Sequence, residues 1–141
     1  MDANLAALIA ALADSVAVYA HGVVGHRWFM AQLRSVDMQP TDLSVRLFGP
    51  GDMSVRVFGV TWHVVTAVFL ACAVALYLTA FGALESRELL RFIALVHAAF
   101  IAVGAFYAEK RLDALRKPIP LVFFTAMVVA ASFAWIASNS M

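Results

Sequence analysis

The sequence predicts an all-α fold: a four-helix transmembrane bundle with a cytoplasmic amphipathic connection between helices one and two. Two observations lead there. The 141-residue chain is 64% hydrophobic and only 13% charged, with a mean hydropathy of +0.88, whereas a soluble domain is about half apolar and about a quarter charged. The apolar excess is also segregated into four runs, each close to the roughly 20 residues that a hydrocarbon core demands of a helix.

The first run covers about 4–25 and ends near HGVVGHRW. MDANLAALIAALADS lacks the positive n-region of a signal peptide, with no Lys or Arg before Arg27, so this run reads as a retained helix. The second run, WHVVTAVFLACAVALYLTAFGAL, covers about 60–84, and the third, LLRFIALVHAAFIAVGAFYA, about 89–108. Only ESRE separates them, which makes an antiparallel hairpin. The fourth run, PLVFFTAMVVAASFAWIAS, covers about 120–138 behind Pro118 and Pro120, residues suited to a helix start. The chain 1–141 therefore reads as a single four-helix integral membrane domain. Four helices are too few to enclose a large pathway, which points to a homodimer or a larger membrane complex.

The connection 27–59 carries a near-repeat, SVRLFG at 44–49 and SVRVFG at 54–59, around PGDM. Alternation of Val45, Leu47, Val55 and Val57 with arginines would suit a β-hairpin. The favoured reading is helical. Thr41 or Asp42 caps a short interfacial helix that ends at Gly49, and Asp52 caps a long second helix that starts below the membrane.

Arg27, Arg34, Arg46 and Arg56 precede helix two, and Lys110, Arg111, Arg116 and Lys117 precede helix four. The opposite side has Arg87 and Arg91. The positive-inside rule then places both termini outside, in a multi-pass protein of the bacterial inner (plasma) membrane. Trp28 and Trp62 would mark the cytoplasmic interface and Trp135 the outer one. A net charge of +1 gives no reason to expect a nucleic-acid partner; the bilayer is the expected one. The single cysteine, Cys72, excludes an internal disulfide and sits where it would pack as a small hydrophobe.

Ionisable residues inside the apolar runs cost about 2.5–3.5 kcal/mol each at a helix centre, so they must face the bundle and find partners. At regular helical spacing Asp14 and His21 share a face about 10 Å apart along the axis, together with Val18 and Gly25. His63 shares its face with Arg56, Thr66 and Tyr77, and His97 shares its face with Ile101 and Gly104. Depth suggests two layers: Asp14 with His97 at mid-membrane, and His21 with His63 nearer the cytoplasm. His26, beside Arg27 and Trp28, reads as a headgroup residue.

Three readings follow. Asp14, His21, His63, Thr66 and His97 form a polar seam that holds helices together in a structural or accessory membrane component, with His97 and Tyr19 or Ser15 bonding across helices. Alternatively they form a proton- or small-ligand-binding site of a coupled transporter. In the third reading, two level histidines, His21 and His63, ligate haem or a metal, although no HxxxH, HxxE or CxxC pair occurs. Nothing resembles a nucleophile elbow, phosphate loop or zinc signature, so an enzyme of soluble type is not expected.

HGVVGHRWF (21–29) and RVFGVTWHVVT (56–66) resemble a group of small bacterial inner-membrane proteins without an assigned activity. In these a His-x-x-x-Gly element ends helix one and an arginine followed by Trp-His-x-x-Thr opens helix two. The matching positions are His21, Gly25, Arg56, Trp62, His63 and Thr66. The resemblance covers about the first 85 residues and departs at 37–52. It implies a four-helix membrane protein with a polar cytoplasmic-side cluster, and no reaction. In architecture the chain is also similar to the small multidrug transporters, with Asp14 in the place of their helix-one carboxylate; those proteins use glutamate, and their surrounding motifs are absent here.

Overall fold

A computed structural model describes residues 1–28, 31, 51–108 and 118–141, with the side chains of 51–58, 107, 108 and 119 outside that description. Among the described residues there are four helices long and apolar enough to cross a membrane, and no strand. Helix α1 is Ala3–Tyr19, continued by a π-helical turn, Ala20–Gly25, and a final helical stretch to Trp28. Helices α2, α3 and α4 are Gly51–Ala80, Arg87–Ala108 and Pro118–Ser140.

Asp2 caps α1, its carboxylate accepting from the Asn4 N–H at 3.2 Å. Helix α2 begins nine residues before the apolar run, so SVRVFG at 54–59 is helical and the hairpin reading is overturned there. The helix starts at Gly51, which puts Asp52 inside the first turn. The interfacial helix expected at 41–49 lies outside the described residues. Helix α2 also stops at Ala80, short of the expected 84. The cause is Gly82, whose φ of +71° favours glycine. Gly82 N–H donates to Thr79 C=O at 3.0 Å and Ala83 N–H to Leu78 C=O at 2.8 Å, the paired bonds of a Schellman cap. Ser86 then opens α3, its hydroxyl accepting from the Leu89 N–H at 3.2 Å.

Side-chain size decides how the four helices pack. Ala6, Ala7, Ala10, Ala11 and Ala17 on α1 are fully buried, as are Ala130, Ala134 and Ala137 on α4. These small residues let the α1 and α4 backbones approach closely, as membrane helices do where no hydrophobic force drives them together. Helix α1 also packs closely on α2, and α3 on α4. The α2–α3 pair meets instead through large side chains: Phe69 against Phe100, ring centroids 4.9 Å apart, and Cys72 and Leu76 in one cluster with Leu90 and Ile93. Helices α1 and α3 therefore face each other diagonally across the bundle. Leu5, Leu12, Val16, Leu70, Val74, Phe92 and Leu95 point outward, the arrangement a hydrocarbon solvent favours. Cys72 is a buried free thiol among apolar neighbours, as its sequence context indicates.

The alanine seam sets a packing limit. Ala10→Leu or Ala134→Leu should lower stability by about 1–3 kcal/mol through overpacking, while Leu12→Ala on the exposed face should change it by under about 0.5 kcal/mol. Denaturation in mixed micelles, followed by circular dichroism, measures both.

Candidate functional site

Helix α1 carries polar groups at two depths, which reach α2 and α3. At the deeper level Asp14 and His97 are both fully buried. Asp14 Oδ1 lies 3.0 Å from His97 Nε2, and His97 Nδ1 lies 2.8 Å from the Ile93 carbonyl one turn back on α3. The pairing expected at mid-membrane thus forms, across the diagonal of the bundle. Phe69 packs on the His97 ring, with centroids 5.3 Å apart. Asp14 Oδ2 is buried without a hydrogen-bond partner among the described residues. Beside it Ser15 does not reach His97. Its hydroxyl donates to Ala11 C=O at 2.9 Å and meets the Tyr77 hydroxyl of α2 at 3.2 Å. Tyr19 is 62% exposed and plays no part in the seam.

The second level is built on the π-helical turn. A π turn closes on the fifth rather than the fourth residue back, which here brings the His26 N–H onto the His21 carbonyl. The same carbonyl accepts the indole N–H of Trp62 at 2.9 Å. The Thr66 hydroxyl donates to the Trp62 carbonyl at 3.0 Å, leaving its oxygen to accept from His21 Nδ1, also at 3.0 Å. The His21 ring lies flat on the Trp62 indole, centroids 4.0 Å apart and planes 8° apart. Two glycines permit the contact. A Cβ on Gly22 would come within 2.6 Å of Thr66 Cγ2, and one on Gly25 within 3.1 Å of Trp62 Cζ2 and 2.9 Å of the Ala20 carbonyl oxygen.

This clamp changes several sequence expectations. Asp14 and His21 meet different helices: Asp14 reaches α3 and His21 reaches α2. The His21 ring meets Trp62 and Thr66 rather than His63. His63 is exposed, and its ring meets that of His26, centroids 4.7 Å apart. The ligand pair on which the haem or metal reading depends is therefore replaced by a histidine–tryptophan stack, because Trp62 rather than His63 points from α2 toward α1. Among the described residues no group of three or more His, Cys, Asp or Glu gathers as metal ligands do. Trp62 is also no lipid-facing belt residue, being half-buried and bonded to helix one. Trp28 and Trp135 are exposed, as a belt requires.

Beside the clamp is an apolar hollow of about 210 Å³, lined mainly by His21, Gly25, Trp28, Trp62, Phe123 and Phe124. Its wall presents carbon, so it suits a hydrocarbon or ring and offers nothing to an ion. Composition gave no signal for it. It follows from the two glycines of the π turn and the aromatic pair that opens α4.

No protein-family model matches the chain, and neither the curated proteins nor the solved structures contain a match. The resemblance expected from the sequence therefore has no match behind it, and what can be placed are its motif residues. Of these, the structure places His21, Gly25, Trp62 and Thr66 in the clamp and leaves His63 outside it.

Gly22→Ala should disrupt the clamp and cost about 1–3 kcal/mol. Adding Thr66→Ser, which removes the obstructing methyl but keeps the hydroxyl, should restore most of the loss. Gly59→Ala, whose Cβ would meet nothing within 4 Å, should be neutral or stabilising by up to about 1 kcal/mol. Detergent unfolding followed by tryptophan fluorescence reads all three variants.

Proposed function

We propose that the protein is a structural or accessory component of a membrane, in which the intramembrane polar residues act as cross-links between helices. The supporting observation is how these groups are engaged. Asp14 bonds His97, Ser15 bonds Tyr77, His21 bonds Thr66, and Trp62 bonds the His21 carbonyl. Thr79 and Ser138 return their hydroxyls to their own helices, at Ala75 and Trp135. Asp14 and His97 do not line the hollow beside the clamp. A transport site needs a polar group that a solute can reach, and both members of this pair are fully buried.

On this reading the protein sits in a bacterial inner membrane with both termini outside, oriented by the lysines and arginines that precede helices two and four. It works as a homodimer or within a larger membrane complex, since its exposed apolar helix faces are available to lipid and to other helices alike. The proton-coupled reading keeps one observation in its favour, the unpartnered Asp14 Oδ2.

The test separates the two. The side-chain amide introduced by Asp14→Asn retains a donor for His97, so this variant should keep normal abundance in the membrane fraction and complement a deletion strain. Asp14→Leu and His97→Leu should each lower abundance. A double-mutant cycle should return a coupling of about 1–2 kcal/mol, the scale of an interhelical hydrogen bond in a membrane. An Asp14→Asn protein present at the normal level but inactive in complementation would overturn the structural reading.

A further inference from the structure

We infer that Asp14 and His97 form a binding site for one proton, held between Asp14 Oδ1 and His97 Nε2, and that the pair is electrically neutral in the folded bundle. The argument begins at the far side of the imidazole. A carbonyl oxygen only accepts, so His97 Nδ1, 2.8 Å from Ile93 C=O, carries a hydrogen. That fixes the tautomer and leaves Nε2 with either a lone pair or a second hydrogen.

Opposite Nε2, at 3.0 Å, stands a carboxyl oxygen. With no proton on that axis, a lone pair faces a carboxylate, and a full negative charge lies at the centre of the bundle. With one proton the contact is a hydrogen bond, either acid to imidazole or imidazolium to carboxylate, and both forms sum to zero charge. With two protons, one on each residue, a net positive charge is buried. Burying an unpaired charge is the costliest of these options, so the one-proton state is the one that this geometry accommodates.

The orphaned Asp14 Oδ2 is an independent observation in the same direction. A cross-link alone needs one donor toward Nε2, and an amide N–H would supply it. A carboxyl brings a second oxygen that finds no donor, and a buried polar atom without a partner needs a reason. That oxygen is least costly as the carbonyl of a protonated acid and most costly as half of a carboxylate.

Among the described residues the surroundings offer no substitute counter-charge. From α2 the nearby titratable side chains are the Cys72 thiol and the Tyr77 hydroxyl, which meets Ser15 beside Asp14. The buried residues of α4 are Ala126, Met127, Ala130, Ala134, Ala137 and Ser138, none of them titratable. Because α1 and α3 lie on a diagonal, the bond with its proton is a direct tie between them, and stripping the proton converts that tie into a repulsion. This goes beyond the structural reading: it assigns the seam a ligand.

The test is nuclear magnetic resonance of the whole protein in lipid bilayers, with ¹⁵N-histidine and ¹³C-aspartate labels. Asp14→Asn assigns the Asp14 and His97 signals. Through-space ¹⁵N–¹³C correlation in the wild type assigns them independently, should the variant not fold. The expected result is a protonated Nδ1 with one further proton on the pair: an unprotonated Nε2 beside a carboxylic acid, or a protonated Nε2 beside a carboxylate. In Asp14→Asn the shared-proton signal should be lost and His97 should remain the neutral Nδ1–H tautomer. An unprotonated Nε2 beside an ionised carboxylate, an imidazolium beside a carboxylic acid, or an unprotonated Nδ1 would each overturn the proposal.

Discussion

Hydrocarbon offers no hydrogen bonds, and that constraint organises this bundle. A polar atom placed between the ends of a span finds its partner inside the protein or goes without one, as Asp14 Oδ2 does among the described residues. The Asp14–His97 bond is where the constraint acts most strongly, because two ionisable side chains meet at 3.0 Å with no exposed surface. The helices they belong to do not pack backbone to backbone, so only side chains of this reach join them. Phe69 and Phe100 fill the space beside the pair, which explains why α2 and α3 stand apart while the alanine-lined pairs close up.

The π-helical turn is the second organising element. A wide turn disturbs the regular carbonyl ladder, and its cost must be offset by contacts that a regular helix would lack. Here the offset is specific. The His21 carbonyl receives both the His26 N–H and the Trp62 indole, and the His21 ring stacks on the same indole. Glycine at 22 and 25 removes the side chains that would hold α2 away. The apolar hollow next to the turn is a by-product of the same geometry, since small residues on α1 face large rings on α2 and α4 across it.

The sequence made the four helices legible because long apolar runs have few alternatives, and it made the Asp14–His97 pairing legible because depth along two helices is simple arithmetic. It misplaced the end of helix two, where Gly82 permits a cap that hydropathy alone does not register. It missed the π turn for a physical reason: a sequence is read at a fixed angle per residue, and nothing in AHGVVG announces a change of pitch. His21 does meet helix two, as its depth implies, but at Trp62 and Thr66 rather than at His63. The preference for histidines as functional residues then promoted His63, when Trp62, one position earlier, was the residue aimed at α1. Gly22 and Gly25, small enough for another helix to approach closely, are the sequence signal that locates the clamp.

Helix α1 emerges as the hub of the molecule. It reaches α3 through Asp14, α2 through Ser15 and His21, and α4 through its alanines. These contacts differ in kind, and that matters for how the helix can move. An alanine seam tolerates sliding, because small apolar groups in one register resemble those in the next. Hydrogen bonds at two depths do not, because a shift of one residue turns a polar side chain toward lipid. The seam therefore holds α1 close while the polar contacts fix its height and rotation. The contact with α3 is the one whose strength depends on a proton. If α1 is to move within a folded bundle, that is the contact a change in protonation would release first, leaving the clamp on α2 intact as a pivot.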